Sequence, residues 1–136
     1  MYNVSMEKIS LSAMDTEKIA FEYASTLSKG DVVLLEGDLG AGKTAFTKGI
    51  AKYFGLEGVT SPTYAYLNVY GNLLYHYDCY RLSCGEDAER LGLTDYFCGD
   101  NICLIEWAEN IEDALPEKVK RVRIEKTGEN TRKIVL

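Results

Sequence analysis

The spacing of apolar residues in the first part of the chain predicts a strand followed by an amphipathic helix. Val4 to Leu11 largely alternates between apolar and polar residues, as a half-buried strand does. From Asp15 to Leu27 the apolar residues recur at helical intervals. Ser12 and Asp15 stand at the spacing of a capping box, which supports a helix start at this point.

A second strand and a second helix flank a glycine-rich segment. Val32 to Leu35 is a continuous run of aliphatic residues, the pattern of a strand buried on both faces. Lys43 to Tyr53 consists of good helix formers, and Gly55 ends the run. The predicted order is therefore strand, glycine-rich loop, helix.

Shorter patterns predict the remaining elements. Tyr64 to Tyr70 and Leu73 to Tyr77 flank the turn residues Gly71 and Asn72, which indicates a hairpin. The other predicted elements are a short helix at Glu86 to Leu91, a buried strand at Ile102 to Ile105, and a pair of edge strands, Val119 to Glu125 and Arg132 to Leu136, around a turn at Gly128.

The glycine-rich segment, residues 37 to 44, fills every fixed position of the P-loop pattern G-x-x-x-x-G-K-[ST]. In such a loop backbone N–H groups at a helix N-terminus hold the phosphates of a nucleotide. Lys43 can reach the β- and γ-phosphates, and the Thr44 hydroxyl can ligate Mg²⁺. The alternative, a plain glycine-rich turn, is disfavoured by the strand before the loop and the helix after it. The predicted nucleotide-binding residues of this segment are Asp38, Leu39, Gly40, Ala41, Gly42, Lys43, Thr44 and Ala45.

These elements predict an α/β fold. We expect a single P-loop NTPase domain over residues 1–136, with a mixed, mostly parallel central sheet flanked by helices and antiparallel edge strands. A chain of 136 residues has the length of one domain, and no linker rich in Pro, Gly or Ser interrupts it.

Two acidic residues follow predicted strands and are candidates for the chemistry. Glu106 comes directly after the apolar run that begins at Ile102, the position from which a carboxylate reaches a metal beside the P-loop. We predict that it contacts Mg²⁺, directly or through water. Asp78 follows the strand that contains His76 and can orient the attacking water or support the metal. Its alternative is a turn aspartate paired with Arg81. A lone histidine such as His76 is more often a hydrogen-bonded structural residue than a base.

Two further residues are weaker candidates. Thr63 lies in the turn-prone segment 61–64, where a γ-phosphate can order a loop through a hydroxyl group. The alternative for this segment is a proline-stiffened connection that starts a strand. Trp107, next to Glu106, is either part of the core or a stacking surface for a base or a protein partner.

Composition and charge narrow the function. The chain is 46% hydrophobic and 26% charged, a composition typical of soluble globular proteins. Its net charge of −6 argues against direct binding of nucleic acid without a partner. Residues 1–10 have neither the apolar core of a signal peptide nor the length of a membrane span, so we expect a cytoplasmic protein without membrane contact.

The chain has four cysteines, Cys79, Cys84, Cys98 and Cys103. They form two pairs, each separated by four residues, which is the longest spacing usual for zinc ligands. Cys103 lies inside an apolar run, whereas zinc ligands usually occupy turns. We therefore expect reduced thiols that behave as small buried hydrophobes, and no zinc site.

Four motifs together resemble the bacterial TsaE (YjeE) family in order and spacing. They are Gly37-Asp-Leu-Gly-Ala-Gly-Lys-Thr44, Ser61-Pro-Thr-Tyr64, His76-Tyr-Asp-Cys-Tyr-Arg-Leu82 and Glu106-Trp-Ala-Glu109. The resemblance implies an ATPase that assists synthesis of threonylcarbamoyladenosine in tRNA. Its implied partners are the proteins TsaD and TsaB, with tRNA contacted only through their complex, and its cofactors are ATP and Mg²⁺.

The resemblance also implies residue roles. Lys43 and Thr44 hold phosphate and Mg²⁺, Thr63 belongs to a switch-like segment, and Asp78 and Glu106 are the essential acids. Trp107 matches the family tryptophan. Ala45 departs from the family, which often has a second hydroxyl there, so a weaker grip on nucleotide is expected.

Two other functions share the P-loop. A small-molecule kinase would need a lid and an acceptor pocket, and the chain has no arginine-rich lid segment and little length for one. A GTP-driven switch would need a guanine-reading Asn/Thr-Lys-x-Asp sequence, which is absent. A third possibility is a protein that hydrolyses ATP only when its partners complete the site.

Overall fold

A seven-stranded sheet with helices on both faces organises the chain in a computed structural model that describes residues 6–60 and 65–136. The strands are β1 (Glu7–Ser10), β2 (Val32–Glu36), β3 (Leu67–Tyr70), β4 (Leu74–Asp78), β5 (Ile102–Glu106), β6 (Lys120–Lys126) and β7 (Arg132–Val135). The helices are α1 (Ala13–Ala24), α2 (Lys43–Tyr53) and α3 (Gly85–Arg90), with 3₁₀ helices at Leu93–Tyr96 and Ala108–Ala114.

The centre of the sheet is parallel and its edges are antiparallel. The strand order is β1-β7-β6-β2-β5-β4-β3. Strands β6, β2, β5 and β4 pair in parallel, whereas β1 and β3 each pair antiparallel with one neighbour. The predicted mixed sheet with a parallel centre and antiparallel edge strands is therefore confirmed. The carboxyl ends of β2, β4 and β5 meet at one edge of the sheet, where ligands bind in open α/β folds.

The prediction that β6 and β7 are edge strands is wrong. Strand β6 lies between β2 and β7, and β7 lies between β6 and β1. Val122 and Ile124 of β6 are buried on one face, whereas Arg121 and Arg123 are exposed on the other. This alternation arises because α1 and α2 cover only one face of the sheet at β6. One-sided cover gives an internal strand the sequence pattern of an edge strand.

Helices α1 and α2 pack together on one face of the sheet. The predicted capping interaction is confirmed, since Ser12 Oγ accepts a hydrogen bond of 3.1 Å from the Asp15 backbone N–H. Helix α1 ends at Ala24 instead of the predicted Leu27. The hydroxyls of Ser25 and Thr26 donate to carbonyls three residues earlier and compete with further helical bonds.

The opposite face is covered by α3 and the two 3₁₀ helices. The buried side chains on this face come from β2, β4 and β5 and from the segments that follow β4 and β5. Because β2 and β5 are covered on both faces, their side chains are almost entirely buried. The continuous apolar runs that predicted these strands have this physical cause.

The hairpin between β3 and β4 forms at the predicted turn. The Leu73 N–H donates a 3.1 Å hydrogen bond to the Tyr70 carbonyl oxygen and closes a β-turn. Its central residues, Gly71 with φ 59° and Asn72 with φ 53°, have the left-handed conformation of a type I′ turn. The strands begin later than predicted, at Leu67 and Leu74. The predicted first residue of the hairpin, Tyr64, lies outside the described residues, as does the start of the predicted first strand.

The cysteines do not share one environment. All four are free thiols, and Cys79 and Cys103 are buried as expected. Burial raises the pKa of the Cys79 thiol to about 12 and that of Cys103 to about 11. Cys98 is exposed, so the expectation of a small buried hydrophobe is wrong at this position.

The helices within residues 6–60 and 65–136 include none with the length and apolar character that crossing a bilayer requires.

The contact between α1 and α2 depends on Gly49. A Cβ atom at this position would collide with the Glu17 carbonyl oxygen and would lie 2.7 Å from the Ala20 Cβ. In an open helix, replacement of glycine by alanine would stabilise by about 1 kcal/mol. Here the collision is with backbone, so the steric cost outweighs that gain.

We predict that Gly49→Ala lowers the free energy of unfolding by roughly 1–3 kcal/mol, measured by urea denaturation. Lys48→Ala is the matched control, because Lys48 is exposed on the same helix. Its expected change is within about 0.5 kcal/mol. A G49A protein as stable as the wild type would contradict the packing described here.

Candidate functional site

The P-loop joins the carboxyl end of β2 to the N-terminus of α2. Gly37 has φ 155°, and a Cβ atom there would lie 2.7 Å from the Ile124 carbonyl oxygen of β6. Gly42 is the residue before α2 and has φ 110°. Both positions therefore require glycine, the first for its close contact with β6 and the second for its backbone angle. The loop wraps around the start of α2, whose N–H groups form a natural anion site.

Lys43 is buried within this loop and has three different partners. Its ammonium Nζ donates a 2.7 Å hydrogen bond to the Gly37 carbonyl oxygen and lies 3.7 Å from Glu106 Oε1. The same atom lies 4.5 Å from the centre of the Trp107 ring, a cation–π contact. The ammonium therefore sits between the first residue of the loop and the end of β5.

Glu106 is the buried carboxylate of the site. Its residue exposure is only 7%, and its Oε2 accepts a 2.5 Å hydrogen bond from His76 Nε2 of β4. An ionised carboxylate can only accept, so the proton of this bond belongs to the histidine. His76 is itself fully buried. The interpretation of His76 as a hydrogen-bonded residue agrees with this contact, although its partner was not predicted.

Asp78 lies beside Glu106 at the sheet edge. The two residues are paired in the register of β4 and β5. Asp78 is half-buried, and its Oδ1 accepts a 3.0 Å hydrogen bond from the Tyr80 N–H, as a turn aspartate does. The suggested pairing with Arg81 is not among the ion pairs of the described residues; the Arg81 guanidinium lies 5.0 Å from the Tyr66 ring centre.

Trp107 borders a cavity beside the P-loop. Its backbone is left-handed, with φ 59°, and its ring packs edge-on against Tyr80 at 5.0 Å. The cavity has a volume of about 620 Å³ and is lined by the P-loop, Trp107, Glu109 and residues 123–126 of β6. This volume falls in the range of small-molecule sites.

Comparisons with known proteins agree with this geometry. The profile of a family described as "Threonylcarbamoyl adenosine biosynthesis protein TsaE" matches residues 10–134. The chain belongs to the TsaE family.

Relatives and a solved structure also support the assignment to the TsaE family. The tRNA threonylcarbamoyladenosine biosynthesis protein TsaE of Bacillus subtilis is 44% identical over 124 residues, which cover 88% of this chain and 77% of that protein. The protein of the same name from Treponema pallidum is 40% identical, and the match covers 96% of this chain and 99% of that protein. The crystal structure of Bacillus subtilis YdiB is similar with a TM-score of 0.81 at 37% identity, covering 99% of this chain and 86% of that one.

The other residues predicted to bind nucleotide occupy the loop and the first turn of α2. Asp38, Leu39 and Gly40 are exposed at the tip of the loop, whereas Ala41 is buried. Thr44 and Ala45 are half-buried, and Ala45 borders a small cavity of about 130 Å³. Of the predicted site residues, the structure brings Lys43 into contact with both Glu106 and Trp107. Thr63 lies outside the described residues, so its role stays a prediction.

Two groups of residues at this site were not predicted from the sequence. The first is the end of β6, residues 123–126, which lines the large cavity. The second is Arg132 of β7, whose guanidinium donates to carbonyls of the P-loop. No local signal could have found either group, because both reach the site through the order of strands in the sheet.

We predict a strong energetic coupling between His76 and Glu106. A double-mutant cycle with His76→Leu and Glu106→Gln should give a coupling energy of roughly 1–3 kcal/mol in urea denaturation, because both groups are buried. A cycle with Glu86→Gln and Arg90→Met is the control, since that ion pair of 2.8 Å is exposed. Its coupling should be about 0.3–0.5 kcal/mol. Equal coupling energies in the two cycles would refute the interpretation.

Proposed function

We propose that this chain is a weak ATPase that binds ATP with Mg²⁺ at residues 37–45 and supports threonylcarbamoyladenosine biosynthesis in tRNA. The observation that carries the proposal is the contact between the P-loop lysine, Lys43, and the buried carboxylate Glu106, in a member of the TsaE family. A buried lysine and carboxylate at the mouth of a phosphate loop are expensive to maintain for stability alone. Their position suits phosphate and metal chemistry.

The donor groups fit both ATP and Mg²⁺. The N–H groups at the start of α2 and the Lys43 ammonium suit the phosphates of ATP. The Thr44 hydroxyl and the Glu106 carboxylate are oxygen ligands of the kind that Mg²⁺ prefers. When bound, this ion neutralises charge on the phosphate oxygens. The neighbouring cavity of about 620 Å³ has room for the base and ribose, with Trp107 on its wall.

Two acidic residues have distinct proposed roles. Glu106 holds Mg²⁺, directly or through water, while His76 fixes the orientation of its carboxylate by hydrogen bonding to Oε2. Asp78 orients the attacking water or supports the metal from the neighbouring strand. Its Oδ1 is engaged by the Tyr80 N–H, which fixes the side chain at the end of β4. The γ-phosphate is transferred to water, which gives ADP and inorganic phosphate.

The proposed partners are TsaD and TsaB. Binding and slow hydrolysis of ATP would reset their complex between turnovers, with the protein in the cytoplasm. The net charge of −6 agrees with a chain that meets tRNA only through these partners. The exposed loop tip at Leu39, which is 78% exposed, leaves the nucleotide site open to a partner protein.

We predict that Glu106→Gln separates binding from hydrolysis. The variant should bind ADP within about threefold of the wild type, because Gln keeps the shape of the side chain, yet it should release phosphate at least about tenfold more slowly. Lys43→Ala should weaken nucleotide binding itself by at least about tenfold, the loss expected for a hydrogen bond from a charged donor. Nucleotide affinity can be followed by calorimetry or by the fluorescence of Trp107, the single tryptophan of the chain.

The control for these variants is Glu86→Gln, which removes an exposed carboxylate on α3. It should keep both affinity and rate. Competition with GTP and a search for phosphate transfer to nucleosides test the switch and kinase functions in the same samples. Unchanged phosphate release by E106Q would count against the assigned role of this carboxylate.

We further predict an ATP-dependent association with TsaD and TsaB. The chain should co-purify with the two proteins in the presence of ATP, and its rate of phosphate release should rise in their complex. Lys43→Ala should associate less than the wild type at the same ATP concentration, because it holds the nucleotide more weakly. If no complex forms with or without ATP, or if the rate is equal with and without partners, the proposed cellular role fails.

A further inference from the structure

Arg132 contacts the outer side of the P-loop. One edge of its guanidinium, Nε and Nη2, donates to the carbonyl oxygens of Ala41 at 2.8 Å and Gly40 at 3.2 Å. The remaining nitrogen, Nη1, donates to the carbonyls of Gly128, Glu129 and Thr131 at 2.9–3.3 Å. The side chain thus joins the P-loop to the turn between β6 and β7.

The direction of the Ala41 carbonyl determines where the next N–H points. A trans peptide is planar, with its C=O and N–H on opposite sides, and the described chain has no cis peptide bond. The bond from Arg132 to the Ala41 oxygen therefore turns the Gly42 N–H away from Arg132. This N–H belongs to the last residue before α2, where the loop presents its donors to an anion.

The peptide between Ala41 and Gly42 can adopt other orientations because Gly42 has no side chain. Gly42 has φ 110° and no side chain to restrict the rotation of its peptide groups. Without an external contact, the Ala41–Gly42 peptide can turn over at low cost. The planar guanidinium of Arg132 bonds to two successive carbonyl oxygens and thereby restricts the rotation of this peptide. A lysine ammonium, which has no rigid pair of donors, would restrict the rotation less.

We propose that Arg132 is a positioning residue for phosphate binding, which holds the Ala41–Gly42 peptide in the orientation that directs the Gly42 N–H towards the phosphates. This inference rests on the proposed nucleotide-binding function and adds to it a residue from outside the P-loop motif. The turn between β6 and β7 becomes part of the support of the site. The close contact of Gly37 with the Ile124 carbonyl supports the start of the loop from the same hairpin.

The test compares Arg132→Met and Arg132→Lys with the wild type. ADP and ATP affinities are measured by calorimetry, KM and kcat by phosphate release, and folding by thermal denaturation. R132M should bind both nucleotides roughly tenfold more weakly, the loss expected if the Ala41–Gly42 peptide is in the competent orientation about a tenth of the time. R132K should lose about threefold, since one ammonium cannot bridge both segments. KM should rise while kcat stays within about threefold, because the bond acts on binding.

Arg90→Met is the matched control, because it removes an exposed arginine whose partner is Glu86. Its affinities should stay within about twofold of the wild type. Wild-type affinity in folded R132M overturns the proposal for Arg132 and leaves the nucleotide-binding function intact. If R132M does not fold, R132K decides, and wild-type affinity in that variant overturns the proposal. A wild-type protein that binds neither nucleotide overturns both the inference and the proposed function.

Discussion

The buried carboxylate of Glu106 is the constraint on which the site depends. A charged group with 7% exposure needs both a nearby cation and a hydrogen-bond donor, because solvent cannot compensate its charge. Lys43 supplies the cation from α2 and His76 supplies the donor from β4. Because these residues come from three separate elements, the arrangement can form only when β2, β5 and β4 pair in this order.

The elements that could be predicted are those whose burial determines the hydrophobic pattern of their own residues. Strands β2 and β5 are covered on both faces, and their continuous apolar runs identified them. Strand β6 was misplaced, because one-sided cover gives the same alternation to internal and edge strands. The 3₁₀ helices at Leu93–Tyr96 and Ala108–Ala114 were not predicted, since short helices of this kind have no hydrophobic period long enough to recognise.

The candidate site likewise has a part that could be predicted from local sequence and a part that could not. The P-loop is contiguous and its glycines and lysine were identified from spacing alone, and Glu106 followed from its place after an apolar strand. The contact of His76 with Glu106 spans thirty residues of sequence, and that of Arg132 with Ala41 spans ninety-one. Contacts of this range depend on strand order, which the sequence pattern of one element does not contain.

In the nucleotide site that we propose, the present partners of Lys43 determine which other groups must supply the affinity for phosphate. Its ammonium already bonds to the Gly37 carbonyl and lies near Glu106, so a phosphate would replace one of these contacts instead of adding a wholly new one. The net contribution of the lysine is therefore smaller than that of an unpartnered ammonium. The remaining affinity must come from backbone N–H groups, whose value depends on their being oriented before the ligand arrives. Residues that hold the loop from outside, such as Arg132, thereby gain influence over binding without touching the nucleotide.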